Sequence, residues 1–435
     1  MSNRIITGLF ILALAFISRN ALALPRVGVS GIEADTGSLP AAAAAAEGIA
    51  EYLFCCLQQS DSVVAVERRD ILNLVPYSRP DDTGTESRPA LLAQYSGSDY
   101  IISGILAEKE GGLFLKAEIT GREDGKTSIK EFTAKNYSEL ARALSMHIAD
   151  RFGIETTDFP RPTGSEQAFG HFGEAIKYFY KSDTGSMYKA AELLFKACGE
   201  DTSFAPAPAY LSYILYLAEE NGLPEESLPG KAETIAGIAL ELESGAVTAL
   251  KTKALLSGRE SGGKMLEAYS DIAVKRPNIY SIYNNMALIY EEAGDTSLAA
   301  ACYRKALELN PYYSIALVNG AGFFENTGDY EQAEEFFVTL SGIRPYYLMA
   351  KYRLGLLYAK AGKYEKAAGE LKFCLTASPT FAPACLNLGL LYETYLNNPE
   401  LAEYYFTRYL ELGGGEVVKV FEKLQKIRSR IKKSR

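Results

Sequence analysis

Along most of the chain apolar side chains recur three and four residues apart, while several stretches between residues 26 and 133 are short apolar runs bounded by turn residues. The first rhythm predicts helices with one buried stripe, and the second predicts strands. The helical part also repeats on a longer scale. Pro277, Pro311, Pro345 and Pro379 stand in equal steps of 34 residues. Between them, small residues fall at Ala287, Ala321, Gly355 and Gly389, and aromatics at Tyr290, Phe324, Tyr358 and Tyr392. Glycines follow at Gly294, Gly328 and Gly362, alanines at Ala299, Ala333 and Ala367, and large side chains at Tyr303, Phe337 and Leu371. Small residues let paired helices approach closely, aromatics and leucines fill the space between them, and glycine turns the chain. Proline ends the second helix, because it has no N–H for the ladder and disfavours helix at the residue before it.

At these residues the chain resembles the tetratricopeptide repeat family. Ala287, Tyr290, Gly294, Ala299, Tyr303, Ala306 and Pro311 carry the family's order of small, aromatic and proline positions, with Tyr283 where a tryptophan is often found. In the fourth unit an extra residue near Asn397-Asn398-Pro399 shifts the later positions to Ala402 and Phe406, and Gly413 replaces the closing proline. The resemblance implies an all-α solenoid, a right-handed superhelix of helical hairpins with a concave binding face. Degenerate units precede the regular ones. Ala190, Leu194 and Ala197, then Leu211, Ser212 and Leu215, then Ala232, Ala236 and Ala239, and finally Tyr269 and Ile272 keep the spacing, giving about seven units between His171 and Leu412.

Earlier in the chain, strands are predicted at 26–32, 62–66, 100–108, 113–120 and 127–133, with hairpin turns at Gly111-Gly112 and Asp124-Gly125. A helix begins at Ser38-Leu39-Pro40 and buries Ile49, Tyr52, Leu53, Cys56 and Leu57; another starts at a capping box of Asn136 and Glu139 and buries Leu140, Leu144, Ile148 and Phe152. Pro76–Pro89 reads as a polar surface loop. Helices interleaved with strands, then a meander, predict an α+β two-layer sandwich. Val64-Ala65-Val66-Glu67-Arg68-Arg69-Asp70-Ile71 and Gly97-Ser98-Asp99-Tyr100-Ile101-Ile102-Ser103-Gly104 resemble the exported module of CsgG, the TolB amino-terminal domain and FlgO-type flagellar proteins. That resemblance implies envelope-associated assembly without catalysis.

The expected organisation is a signal peptide at 1–23, the CsgG/TolB-like domain at 24–152, a linker at 153–165, degenerate repeats at 166–276, regular repeats at 277–414 and a capping helix with a basic tail at 415–435. Arg4, the apolar run Ile5–Ile17 and Ala21-Leu22-Ala23 support export, to the periplasm or envelope, with no cysteine at the cleavage point for a lipid anchor. The run is too short to span a bilayer, which needs roughly 20 apolar residues. In the tail, Val417, Val420, Phe421, Leu424, Ile427 and Ile431 form one face, beside eight Lys/Arg from Lys419 onward. Capping is the reading favoured, with contact to anionic lipid or an acidic partner as the second.

The chain has 45 basic and 54 acidic residues, a net charge of −9. Removing the signal leaves 43 basic residues and a net charge of −11, a balance that argues against general nucleic-acid binding. Six cysteines make no metal pattern. Cys374 and Cys385, on successive helices, could oxidise in an exported chain, but buried thiols are favoured.

Catalytic motifs are sparse. Asp-Thr-Gly occurs at Asp35, Asp82 and Asp183, as in aspartic proteases, but in expected turns. Gly258–Lys264 has phosphate-loop spacing, yet Met265 stands where Ser or Thr should and no strand precedes it. Two histidines, His147 and His171, cannot build a three-histidine zinc site. No catalytic residue, cofactor or metal is expected. The expected function is a non-catalytic scaffold whose repeat groove holds a protein partner through Asn284, Leu288, Val318, Tyr352, Arg353, Leu356, Lys360, Leu386 and Leu390. Only Arg353 and Lys360 could clamp a carboxylate, so an apolar peptide or helix fits better. Asn285, Asn319 and Asn387 recur at one offset and either line the groove or tie helices together. The alternative function is a small-molecule or cell-wall-fragment site in the α/β domain, with the 76–89 loop as lid.

Overall fold

The computed structural model describes residues 24–35, 40–72, 88–109, 112–157, 159–181, 183–223, 228–344 and 347–434. They form two compact units, one ending at Tyr313 and the other beginning at Ser314. The expected signal at 1–23 and nearly all of the 76–89 loop lie outside the described residues, as do Gly111, Asp82 and Pro345.

The first unit opens with a five-stranded sheet. Its strands are β1 (Arg26–Ala34), β2 (Val64–Val66), β3 (Tyr100–Lys109), β4 (Gly112–Gly121) and β5 (Thr127–Ala134), in the order β2-β1-β3-β4-β5. β1 runs parallel to β2 and β3, since helices make the crossovers α1 (Pro40–Gln58), α2 (Arg68–Leu72) and α3 (Arg88–Ser96). β3, β4 and β5 form the expected antiparallel meander, and Gly125 takes φ 60° in its second turn. α4 (Tyr137–Phe152) starts as expected: Asn136 accepts from the Glu139 N–H and the Glu139 carboxylate accepts from the Lys135 N–H. α1 and α4 bury Ile49, Leu53, Leu57, Leu140, Leu144 and Ile148 in one cluster with Val29, Ile102, Leu106 and Leu115 of the sheet. Burying each such side chain contributes about 1.5–3 kcal/mol. Val66 and Ile101 point the other way, into a smaller cluster with Ile71, Leu92 and Ala93 of α2 and α3. Part of the sheet is therefore covered on both faces, beyond the two layers expected.

The same unit continues into four helical hairpins. These are α5 (Glu166–Phe179) with α6 (Thr184–Glu200), α7 (Pro206–Glu220) with α8 (Ala232–Leu242), α9 (Val247–Ser257) with α10 (Gly262–Lys275), and α11 (Tyr280–Glu292) with α12 (Thr296–Leu309). Every spacing residue of the degenerate units, from Ala190 to Ile272, is buried. The segment 153–165 contains no helix or strand among its described residues, but it does not hold two bodies apart. Tyr52 Oη donates to Pro160 O at 2.5 Å and Ser138 Oγ to Thr163 O at 2.6 Å, both buried. α5 then packs directly on α1. A Cβ on Gly173 would lie 2.0 Å from Ala44 O, and one on Gly48 would lie 3.2 Å from Gly173 Cα, so bare glycine is what permits this crossing.

The second unit holds three hairpins and a final helix: α13 (Ser314–Thr327) with α14 (Tyr330–Ile343), α15 (Leu348–Lys360) with α16 (Tyr364–Ala377), α17 (Ala382–Thr394) with α18 (Pro399–Glu411), and α19 (Val417–Ser434). Gly328 and Gly362 turn two hairpins at φ 84° and 73°. In the third, where the extra residue sits, Asn397 takes φ 46° and Asn398 caps α18 by accepting from the Leu401 N–H. Asparagine tolerates the left-handed region better than most residues, so the insertion costs little. Cys374 and Cys385 are buried free thiols, and Cys374 Sγ contacts Leu348 O at 3.8 Å. Val420, Leu424, Ile427 and Ile431 of α19 are buried, while Val417 and Phe421, four apart on the neighbouring ridge, are half exposed. That departs from the single six-residue face expected. Lys423 and Arg428 of α19 pair with Glu393 of α17 and Glu403 of α18, each at 2.6 Å.

Candidate partner-binding surfaces

In the first unit, the leading helices of the four hairpins already have an occupant, the chain's own α/β segment. Glu51 of α1 is fully buried and accepts hydrogen bonds from Arg68, from Tyr210 of α7, and from Tyr180 at the end of α5 at 3.0 and 3.1 Å. Arg68 also pairs with Glu47 at 2.9 Å and lies 5.4 Å from the Tyr180 ring centroid. Burial alone would disfavour the Arg68 charge, but Glu51, Tyr180 and Glu47 hold its pKa above the usual arginine value.

A second cluster reaches α9 and α11. Glu67 accepts from Lys251 at 2.7 Å and from Ser281 at 2.8 Å. Tyr280 Oη accepts from the Glu67 N–H at 2.6 Å and donates to Asp70 at 3.1 Å. Burial pushes the Glu67 carboxyl up, yet Lys251 and Ser281 outweigh that and leave it below its ordinary range. Asn278 donates to the backbone carbonyls of Ser60 (2.7 Å) and Val63. Gly97, at φ 73°, leaves no room for a Cβ, which would meet Asn310 Oδ1 at 2.7 Å. The two stretches that carry the CsgG-like resemblance, 64–71 and 97–104, are thus also stretches that touch the repeats. Asp99 of the second stretch ties the sheet itself, accepting from Arg26 Nη2 at 2.8 Å and Arg122 Nη2 at 2.9 Å.

This arrangement changes what the expected groove residues can do. Asn284 on α11 is buried, with its amide 3.3 Å from Asn285 Oδ1, so it offers nothing to a partner; Leu288, one turn on, is 38% exposed. In the second unit Val318 lies on α13, Tyr352, Arg353, Leu356 and Lys360 on α15, and Leu386 and Leu390 on α17. Val318 is exposed, and Tyr352, Leu356, Leu386 and Leu390 are half-buried. The Tyr352 ring packs edge-on against Phe381 at 5.1 Å, and its hydroxyl accepts from Asn387 Nδ2 at 3.0 Å. Asn285 likewise donates to Tyr269 Oη at 3.0 Å, so two of the recurring asparagines tie helices together. Arg353 and Lys360 both turn to Glu325 of α13, at 2.9 and 2.7 Å. Their charges are matched within the chain, and what remains on α15 and α17 is an apolar, aromatic strip.

The other motifs resolve as scaffolding. Asp183 caps α6, accepting from the Ser186 N–H at 2.9 Å. Gly258–Lys264 is the turn from α9 to α10, where Ser261 accepts from the Lys264 N–H at 3.2 Å. His171 pairs with Glu200 at 3.0 Å, and His147 stacks edge-on with Phe132. Among the described residues no group of three or more His, Cys, Asp or Glu side chains is placed to hold a metal, and no helix is long and apolar enough to cross a membrane. Sequence reasoning missed Glu51, Tyr180 and Tyr210. A signal existed: Glu47 and Glu51 are the only charged residues of α1, four apart on one side of an otherwise apolar helix.

Residues 280–313, which cover α11 and α12, match the tetratricopeptide repeat family. Among curated proteins, uncharacterized protein ycf37 of Pyropia yezoensis is 37% identical over 75 residues, or 17% of this chain and 40% of that protein. The chain thus spans about two fifths of the length of that relative. Solved structures similar to it include MamA from residue 41 of Desulfovibrio magneticus RS-1, 20% identical, covering 38% of this chain and 94% of that one, with a TM-score of 0.34. A tetratricopeptide repeat protein of Parabacteroides merdae is 21% identical, covering 59% and 98%, at 0.34. YrrB, described as a repeat protein with an unusual peptide-binding site, is 21% identical, covering 45% and 96%, also at 0.34.

Proposed function

We propose that this tetratricopeptide repeat protein, from a family that generally mediates protein–protein interaction, is a non-catalytic scaffold that grips an apolar peptide or helix of a protein partner on α15 and α17. The observation that carries the reading is the strip of Tyr352, Leu356, Leu386 and Leu390, left half-exposed while Arg353 and Lys360 are paired to Glu325. The leading helices of the first unit are filled by the α/β segment, so partner binding falls to the second unit. Burying an amphipathic segment against leucine and tyrosine is the usual way such a strip gains affinity. In a peptide-display selection on the full chain, apolar helical sequences are expected to be enriched. The double substitution Leu356→Asp/Leu386→Asp is expected to weaken them at least tenfold with an unchanged melting temperature. Retention at parental affinity would remove the strip from the account.

The apolar run near the start and the CsgG/TolB/FlgO-like stretches place this scaffold outside the cytoplasm, in an envelope-associated assembly. The repeats would stack as a right-handed superhelix with the α/β module as their fixed end. Fractionation of the native host should then recover the chain in the exported, periplasmic or envelope fraction. Recovery only in the cytoplasm would end this part of the proposal.

A further inference from the structure

A cleft of about 600 Å³ opens in the first unit where the end of α1, the segment after α4, the α8–α9 turn and the end of α10 meet. Its lining includes Gln59, Arg161, Glu243, Gly245, Lys275 and Arg276. The volume lies within the roughly 300–1,000 Å³ usual for small-ligand pockets. None of these residues belongs to the strip on α15 and α17, so this site is independent of the proposed peptide surface.

Three features give the cleft a chemical preference. Arg161, Lys275 and Arg276 place three cations along it, and Arg276 Nη1 is held from outside by Asp61 at 3.6 Å. Gln59 is 4% exposed, and its Oε1 accepts no hydrogen bond in the structure. A buried acceptor without a donor is costly until something supplies one. Gly245 brings these groups together: a Cβ built there would sit 3.2 Å from Arg276 Nη2 and 3.6 Å from Gln59 Oε1. The Glu243 carboxylate lines the same wall.

A simple oxyanion such as phosphate would suit the cations, but it would face Glu243 and the Gln59 oxygen with no proton to donate. A molecule with a carboxylate at one end and an ammonium or amide N–H at the other satisfies both sets. We propose that this cleft binds a zwitterion of the α-amino-acid class, free or as a short peptide. Its carboxylate lies against Arg161, Lys275 and Arg276, and its amino group donates to Gln59 Oε1 and Glu243. The bare floor at Gly245 gives the backbone of such a ligand its close approach.

Calorimetric titration of the full chain tests this with L-leucine, dileucine, leucinamide, N-acetyl-leucine and inorganic phosphate. L-leucine or dileucine is expected to bind saturably, the tighter of the two identifying the free or the peptide source. Leucinamide, which lacks the carboxylate, and N-acetyl-leucine, which lacks the ammonium, should each bind at least tenfold more weakly. Gly245→Val, whose backbone is not in the left-handed region, should abolish binding by filling the floor. If that variant melts early, Arg161→Glu/Lys275→Glu decides, since both side chains are exposed, and it should weaken binding at least tenfold. No saturable binding by leucine or dileucine, binding by phosphate alone, or unchanged affinity in a stably folded variant would overturn the proposal.

Discussion

Arg68→Ala should lower the unfolding free energy of the full chain by about 3–5 kcal/mol, the range seen when one partner of a buried ion pair is removed. The Arg68 and Glu51 side chains are both fully buried, and loss of the guanidinium leaves the Glu51 carboxylate with only the hydroxyls of Tyr180 and Tyr210. Those two bonds do not offset an uncompensated charge in a water-free site. Urea unfolding followed by circular dichroism measures the effect as a fall in the transition midpoint. Arg68→Ala/Glu51→Gln should recover part of the loss, because it removes the stranded charge and keeps an acceptor for the tyrosines. A loss below about 1 kcal/mol in the single variant, the level typical of an exposed pair, would mean that the cluster is solvated and the α/β segment is not seated on α5 and α7 as described.

Gly173→Val should cost more than about 3 kcal/mol, at or above the upper end for overpacked cores. The reason is geometric. The added Cβ would fall 2.0 Å from a backbone oxygen of α1, and backbone cannot swing aside as a side-chain tip can. α5 would have to lift off α1, taking Phe169 and Phe172 out of the shared core. Thermal melting checks this, with Gly170→Val as the control. Gly170 lies one turn away on the same helix with nothing within 4 Å of its Cβ position, so it should lose only the modest amount set by helix propensity. Equal losses for the two variants would show that α1 and α5 do not touch at Gly173.

What could be read from the sequence was local. The 34-residue step exposed the hairpins because each one buries its own small and aromatic residues within one period, and all five strands showed as short apolar runs between turn residues. The docking of the α/β segment was hidden because its contacts join residues far apart in the chain. Glu51 meets Tyr180 across 129 positions and Glu67 meets Ser281 across 214, and no pattern of period 2 or 3.6 encodes such pairs. The expected groove suffered from the same blindness. Asn284 falls at a groove offset, but its burial could not be read from spacing alone. Arg353 and Lys360 looked like free cations until Glu325, 28 residues from the first, took both. The segment 153–165 has the prolines and glycines of a linker, yet its carbonyls accept buried hydrogen bonds from Tyr52 and Ser138. Composition predicted irregular backbone there, and irregular backbone can still be packed.

Hydrogen exchange on the full chain, with and without an apolar helical peptide enriched by the selection, tests the whole arrangement at once. Without peptide, the amides of α7, α9 and α11 should already exchange slowly, as leading helices covered by the α/β segment. Adding peptide should slow exchange in α15 and α17 and leave those three helices unchanged. New protection confined to α7, α9 and α11, or displacement of the α/β segment by the peptide, would contradict the account.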